Sequence, residues 1–212
     1  MTDSNNHQPT TRICGCDADT ITLRGKDLVD EVIGSYSLTG AFLLQALGSE
    51  PTAKQCELLD AVMVTIMEHG LMPSVIATRL TLAGAPESLQ GAVAAGLLGV
   101  GDRYGGTAGK CGELGERLVG AKEMSQEAAA IVAEHRARRE PLPGFGHPIH
   151  SGRDPRVDKL LAMLPENSPA LHAMKTLELA LSEVLGKPLV MNVSAALAAL
   201  MKIGRASCRE RV

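Results

Sequence analysis

One fourteen-residue segment, Pro143 to Arg156, constrains the fold of this chain more than any other part of the sequence. It reads PGFGHPIHSGRDPR and contains three glycines, three prolines and two histidines. Proline ends a helix and glycine admits backbone conformations that other residues avoid, so no regular helix or strand can run through the segment. We predict a rigid loop that presents His147, with Arg156 as a planar donor for a carboxylate. The alternative is a glycine-rich turn with a structural histidine.

The composition predicts one globular unit and disfavours a nucleic-acid surface. Of the 212 residues, 45% are hydrophobic and 21% are charged, which suffices for a hydrophobic core. The formal net charge is −3, with two Phe, two Tyr and no Trp. Nucleic-acid binding needs basic clusters that neutralise phosphates and rings that stack on bases, so we expect no nucleic-acid partner.

The sequence also predicts a cytoplasmic protein with no membrane partner. The first residues are polar and lack the apolar stretch of a signal peptide. The apolar run at residues 89–100 is too short to span a bilayer, and Gly91, Gly96 and Gly99 interrupt it.

Five cysteines stand at positions 14, 16, 56, 111 and 208. Their odd number and scattered positions predict free thiols. We predict no metal site, because no second Cys or His pair completes a tetrahedral set with Cys14 and Cys16.

Hydrophobic periodicity predicts an almost entirely α-helical fold after one short N-terminal β-hairpin at residues 12–24. Helices are expected at residues 26–33, 39–47, 52–69, 76–83, 89–100, 111–119, 125–139 and 169–185, and another begins at residue 195. Gly70 is expected to cap the third of these helices, and Pro86 to occupy the first position of the fifth. Because residues 89–100 are rich in Ala, Gly and Leu on every face, we predict that this helix is buried among others.

The sequence Gly-Phe-Gly-His147, followed after six residues by Asp154-Pro-Arg156, resembles the signature of the citrate synthase family, which includes the citryl-CoA lyases. The resemblance implies an all-α fold with a large domain, residues 1–106 and 190–202, and a small CoA-binding domain, residues 107–189. It implies a homodimer whose substrates are small molecules, a CoA thioester and an oxaloacetate-like acid. No permanently bound cofactor is implied.

The resemblance also implies a role for each residue of the loop. His147 polarises the carbonyl of the acid substrate, and Arg156 holds one of its carboxylates. Asp154 is expected to pair with Arg156. The implied CoA-binding residues are Pro143, Gly144, Phe145, Gly146 and Lys187.

Two residues outside the loop are implied to bind the acid substrate, His69 and Asn192. His69 follows Glu68 at the end of a predicted helix, as an acidic-residue–His pair does in the family. From the residues alone, His69 is equally well explained as a charge that favours a helix C-terminus.

The chain departs from the family pattern at two positions that carry chemistry. Tyr104 stands where the family has a histidine that holds the thioester carbonyl, and Ser194 stands where it has the aspartate that takes a methyl proton. A tyrosine hydroxyl stays protonated at neutral pH and can still donate a hydrogen bond. An unassisted serine hydroxyl cannot act as the base, so we count Tyr104 and Ser194 among the catalytic positions but assign no base role to Ser194.

These departures favour a citryl-CoA lyase over a synthase that works forward from acetyl-CoA. Cleavage of citryl-CoA or a related 3-hydroxy-3-carboxyacyl-CoA first removes a proton from a tertiary hydroxyl, for which His147 or His69 can serve. Two alternatives stay open: a citrate synthase acting in the forward direction, and a homologue that binds CoA esters without turnover.

The last ten residues, 203–212, are abruptly charged and have no helical periodicity. They resemble the translation of sequencing-adapter read-through, so we expect an artefactual tail and a large domain that is incomplete at its C-terminus.

Overall fold

The computed structural model describes residues 11–68, 70–102, 105–146 and 154–203 of the chain. Three short strands come first, β1 (Cys14–Cys16), β2 (Ile21–Leu23) and β3 (Lys26–Asp27). They are followed by a π-helical turn, Leu28–Val32, and by the α-helices α1 (Leu38–Leu47), α2 (Ala53–Ile66), α3 (Pro73–Gly84), α4 (Leu89–Leu98), α5 (Thr107–Val119), α6 (Met124–Arg138), α7 (Pro155–Leu161), α8 (Pro169–Leu185) and α9 (Val193–Ile203). The predicted fold class, mostly helical after a small N-terminal sheet, is confirmed.

The N-terminal sheet is larger than the predicted hairpin because the chain turns back a second time. β1 pairs with β2 and β2 pairs with β3, all antiparallel, and Leu23 lies opposite Lys26. Arg24 and Gly25 both have positive φ, 50° and 81°, and their tight turn returns the chain along β2. The helix predicted from residue 26 is therefore wrong at its start, where the structure has β3.

Serine and glycine caps set the ends of two helices. The Ser37 hydroxyl accepts a hydrogen bond from the Gly40 amide at 3.0 Å at the start of α1, and Gly48 ends this helix with a φ of 70°. Ser168 caps α8 in the same way, and Gly186 ends it with a φ of 64°. Serine is a strong N-cap and glycine adopts the left-handed conformation at low cost, so both helices lie where they were predicted.

The predicted end of α2 is wrong. This helix ends at Ile66, so Gly70 is not its C-cap although its φ is positive, at 67°. The Gly70 amide instead donates to the Glu68 carboxylate at 2.6 Å, within the segment that leads to α3.

The predicted start of α4 is also wrong. Pro86 lies before the helix rather than at its first position, because α4 begins at Leu89. The amide of Ser88 donates to the carbonyl of Ala85 at 3.0 Å, so the chain closes a turn around Pro86 before the helix starts.

The chain divides into two compact units, Met1–Asp60 and Ala61–Val212, with the boundary inside α2. In the first unit, the Arg24 guanidinium donates to the Gln45 carbonyl at 2.9 Å and so ties the turn of the sheet to α1. This division does not test the predicted large and small domains, which stay a prediction.

The core of the second unit lies among α5, α6, α8 and α9. α9 packs against α5, α7 and α8, while α6 packs against α8. The large side chains buried most completely there are Leu118, Ile131, Met174, Leu177, Met191 and Leu200. At the edge of this core, the Arg117 guanidinium on α5 donates to the carboxylates of Glu127 and Glu134 on α6, and the bond from Arg117 lowers the pKa of Glu134.

The prediction that residues 89–100 are buried is wrong for their large side chains. Within the described residues, α4 buries Ala92 and Gly96, whereas Leu97 and Leu98 are 69% and 88% exposed. The small residues face α3: a Cβ at Gly96 would lie 2.1 Å from the Thr78 hydroxyl oxygen. α3 and α4 therefore approach closely through small residues, while Leu80 of α3 and the leucines of α4 are exposed. No helix in the described ranges is both long enough and apolar enough to cross a membrane.

Candidate functional site

The loop predicted to bind CoA is held against a short extended segment, residues 190–192, that precedes α9. The Gly146 amide donates to the Val190 carbonyl, and the Asn192 amide donates to the Gly144 carbonyl, both at 2.9 Å. Between these two bonds, Phe145 pairs with Met191 in an antiparallel bridge. We call this arrangement the clasp: residues 144–146 on one side and residues 190–192 on the other.

The side chain of Asn192 adds a further bond to the clasp. Its Nδ2 donates to the Gly146 carbonyl at 2.9 Å, and its Oδ1 accepts from the Ser194 amide at 2.9 Å. The first bond reaches the residue directly before His147, and the second caps the N-terminus of α9. The structure thus brings together the predicted CoA loop, Asn192 and Ser194, a half-buried residue at the start of α9.

Two polar side chains of α8 hold the outer edge of the clasp. The Glu178 carboxylate accepts from the Met191 amide at 2.7 Å, and the Ser182 hydroxyl accepts from the Leu189 amide at 3.3 Å. Glu178 was not among the predicted site residues. Its partner lies thirteen residues along the chain, so no local pattern connects the two.

Gly144 is required where it stands. Its φ is +87°, a conformation that side-chain-bearing residues rarely adopt. A Cβ there would lie 2.4 Å from the Cys111 sulfur and 3.0 Å from the Cβ of Ala195. Cys111 is 1% exposed, and burial raises the pKa of its thiol to about 12. Cys111 is therefore a packing residue beneath the loop, protonated at neutral pH.

The expected pairing of Asp154 with Arg156 is present. Asp154 is 1% exposed and accepts from the Arg156 backbone amide at 3.0 Å, which caps α7. It also accepts from the guanidinium, from Nε at 3.0 Å and from Nη2 at 2.7 Å, and this bonding raises the pKa of Arg156. α7 was not predicted, because its seven residues begin inside the proline- and glycine-rich segment.

The pairing fixes one edge of the guanidinium and leaves other N–H groups of Arg156 unused by the described residues. A guanidinium carries five N–H donors in one plane, so a second anion can bind at the free side. The Arg156 side chain is 32% exposed, which leaves it accessible. Its role as the clamp for a substrate carboxylate stays a prediction.

Three predicted site residues, His69, Tyr104 and His147, lie outside the described residues. Lys187 is exposed in the turn that follows α8, and it forms no ion pair with the described part of the chain. The implied roles of these four residues stay predictions.

An open cavity of about 300 Å³ lies beside the clasp, between the C-terminal ends of α6 and α8. Its apolar walls include Leu142, Phe145 and Leu189, and its rim includes Arg136 and Arg139. Neither arginine forms an ion pair with a carboxylate of the described residues. Neither arginine was among the predicted site residues, although the basic run at residues 135–139, shortly before the loop, is visible in the sequence.

The described residues contain no group of three or more His, Cys, Asp or Glu side chains arranged to hold a metal ion.

The fold and the site together define a class of helical proteins in which a glycine-rich loop is hydrogen-bonded to the segment at the start of a helix. The family model of the citrate synthase C-terminal domain matches residues 18–205. The chain therefore belongs to the citrate synthase family.

Several solved structures are similar to this chain. Citryl-CoA lyase from Hydrogenobacter thermophilus is 28% identical, with a TM-score of 0.78 over 91% of this chain and 75% of that chain. ATP citrate lyase from Methanothrix soehngenii shares the fold at 21% identity, with a TM-score of 0.77 over 93% of this chain and 33% of that chain. Citrate synthase from Thermotoga maritima shares it at 21% identity, with a TM-score of 0.60 over 81% of this chain and 51% of that chain.

Among curated proteins, the citrate synthase of Acidithiobacillus ferridurans is 30% identical over 128 residues, which are 59% of this chain and 31% of that protein. A putative citrate synthase 2 of Mycobacterium tuberculosis is 30% identical over 129 residues, which are 59% of this chain and 32% of that protein. The chain thus matches these curated relatives over about a third of their length.

Proposed function

We propose that the protein is a citryl-CoA lyase-like enzyme, which cleaves the carbon–carbon bond of citryl-CoA or a related 3-hydroxy-3-carboxyacyl-CoA. The observation that carries the proposal is the neutral Ser194 at the start of α9, two residues beyond the clasp, where a synthase needs a carboxylate base. The similarity to a citryl-CoA lyase at 28% identity supports the same direction.

The proposed reaction is the reverse of a Claisen condensation. A base takes the proton of the tertiary hydroxyl, that oxygen forms a carbonyl, and the bond to the neighbouring methylene carbon breaks. The electron pair of that bond becomes the enolate of acetyl-CoA, which a proton then quenches at carbon. We propose His147 or His69 as the base and Tyr104 as the donor to the enolate oxygen, because a hydrogen bond aimed at developing charge lowers the barrier most.

Binding of the CoA part is proposed at the clasp and at the cavity beside it. The backbone of residues 143–146 lines one side, and the apolar walls of the cavity suit a purine ring. The two rim guanidiniums of Arg136 and Arg139 and the exposed Lys187 suit phosphate groups, which favour planar bidentate donors and point charges. Arg156 is proposed to bind a carboxylate of the acid part through its free N–H groups.

A homodimer and a cytoplasmic location complete the proposal. The exposed leucines of α3 and α4, Leu80, Leu97 and Leu98 among them, support the dimer, because large apolar side chains left exposed on neighbouring helices mark an interaction surface.

The proposal is tested by mixing the full-length gene product with citryl-CoA and following acetyl-CoA and oxaloacetate. We expect cleavage that outpaces the forward condensation. Replacing His147 with Ala is expected to lower turnover by roughly two to four orders of magnitude, with little change in CoA-ester affinity. Full activity of this variant would make the histidine structural and the assignment wrong.

The same assay separates the two alternatives. Faster condensation of acetyl-CoA with oxaloacetate than cleavage of citryl-CoA would indicate a synthase. Calorimetric binding of a CoA ester without any turnover would indicate a binding protein.

A further inference from the structure

We propose that Asn192 is a positioning residue for the loop, acting through the hydrogen bond from its side chain to the Gly146 carbonyl. Asn192 was predicted to bind the acid substrate, and that role stays a prediction. In the structure, each end of its side-chain amide makes one hydrogen bond to a backbone group. The consequence for catalysis rests on the proposed function, whereas the consequence for loop geometry does not.

The partners of Asn192 fix the orientation of its side-chain amide. The Ser194 amide can only donate, so the atom that it contacts must be the carbonyl oxygen Oδ1. The Gly146 carbonyl can only accept, so the atom that it contacts must be the amino nitrogen Nδ2. A flipped side chain would place like groups against each other at both ends. The two bonds therefore occur together.

The two bonds serve different purposes. The acceptor end caps α9, a task that an aspartate performs as well as an asparagine. The donor end holds the loop, and a carboxylate cannot perform this task because it has no N–H group. An asparagine is thus needed here for the loop and not for the helix.

The bond from Asn192 limits the conformational freedom of the Gly146 backbone, directly before the predicted catalytic residue His147. Gly146 has a φ of +79° and directly precedes His147. Its amide is bonded to Val190 and its carbonyl to Asn192, so both polar groups of the residue are held. Because the peptide group is planar, holding the Gly146 carbonyl also constrains the link into residue 147. Asn192 therefore positions the end of the loop from which His147 extends.

The test compares two substitutions that separate the two bonds. Asn192→Asp keeps the acceptor for the cap and loses the donor for the loop, whereas Asn192→Ala loses both. Ser168→Ala is the matched control, because it removes the N-cap of another helix in the same unit without touching the clasp. Each variant is prepared in the full-length gene product.

The first readout is amide hydrogen exchange, which needs no activity. In both Asn192 variants we expect the backbone amides of residues 146 and 192 to exchange about tenfold faster, since the hydrogen bond that holds the loop, a bond of ordinary strength, is lost. The amides of the first turn of α9 should exchange faster in Asn192→Ala but not in Asn192→Asp. Unchanged exchange at Gly146 in Asn192→Asp would overturn the proposal.

The second readout is citryl-CoA cleavage. For both Asn192 variants we expect kcat to fall about tenfold or more, because the bond fixes the end of the loop at Gly146. The CoA-ester KM should rise by a smaller factor, because the same loop lines the proposed CoA site. Ser168→Ala should keep the wild-type kcat. Faster exchange at Gly146 with an unchanged kcat would overturn the positioning role. An inactive wild-type protein would refute the proposed function, and the exchange comparison would still decide whether Asn192 holds the loop.

Discussion

Gly144 offers the sharpest test of the site at the scale of single residues. We expect Gly144→Ala to destabilise the fold by about 2–4 kcal/mol, because the new Cβ would meet the Cys111 sulfur at 2.4 Å and the backbone has a φ of +87°. The change is measured as the free energy of unfolding in urea.

The control for this prediction is Gly186→Ala. Gly186 also has a positive φ, +64°, but nothing lies within 4 Å of its Cβ position. Gly186→Ala should lower the free energy of unfolding by about 1 kcal/mol, which is the cost of the backbone conformation alone. Equal decreases in the free energy of unfolding for Gly144→Ala and Gly186→Ala would show that Gly144 is not tightly packed.

Cys111 gives a second prediction, about thiol reactivity. Its thiol is buried and its pKa is raised to about 12, so it should resist alkylation at pH 8 until the protein unfolds. Cys14 and Cys16 are exposed and should react at once, which provides an internal control. Labelling is mapped by peptide mass spectrometry. Rapid modification of Cys111 in the native protein would contradict the packing described beneath the loop.

The raised pKa also predicts how stability depends on pH. In the unfolded chain a thiol loses its proton from about pH 8.5, whereas the folded Cys111 keeps its proton to about pH 12. Between these values the unfolded state binds fewer protons, so stability is full below the window and falls as the pH rises through it, by up to about 1.4 kcal/mol per pH unit. In Cys111→Ala, the free energy of unfolding measured in urea should fall less steeply with pH across this range, because the contribution of the thiol is absent.

The loop motif was readable from the sequence because its glycines, prolines and charged residues are neighbours in the chain. Asp154 and Arg156 are two residues apart, so their pairing was predictable. The partners of Gly144 and Asn192 were not. Cys111 and Gly146 are brought to them by the packing of α5 and α9, which no local pattern encodes.

Two glycines of α5 give a prediction at the scale of one helix. Gly109 is exposed and nothing lies within 4 Å of its Cβ position, so Gly109→Ala should stabilise the protein by about 0.5–1 kcal/mol. Gly115 is the matched control, because a Cβ there would lie 3.1 Å from the terminal methyl of Met174. Thermal unfolding compares the two variants. A larger gain at Gly115 would contradict the packing of α5 on α8.

Helices with clear caps were predicted well, and the errors have physical reasons. α1 and α8 begin after a serine and end at a glycine, and both signals are local. β3 was missed because its partner strand, and not its own residues, decides its conformation. The burial of residues 89–100 was overestimated. An apolar composition favours burial, but it does not show which part of the chain, or of another chain, covers the helix.

The exposed leucines of α3 and α4 lead to a prediction about the whole molecule. Leu80 and Leu97 are 70% and 69% exposed. If these helices form the proposed dimer interface, Leu80→Lys with Leu97→Lys should convert the full-length dimer to a monomer in light scattering, because two charges on each copy would be buried without partners. Leu179→Lys, at a 65% exposed position on α8, should leave the dimer intact. A monomeric wild-type protein would refute the proposed interface.

The clasp has a consequence for how the protein is made. Its two sides lie 46 residues apart, with α7 and α8 between them. During synthesis the glycine loop leaves the ribosome well before residues 190–192. Its backbone groups therefore lack their hydrogen-bonding partners until α7 and α8 have been synthesised. Contacts between distant segments form late, because the entropy of closing the intervening chain must first be overcome. The site therefore cannot mature before residues 190–192 have left the ribosome, and a chain released before α9 would lack both one side of the clasp and the helix that packs against α5, α7 and α8.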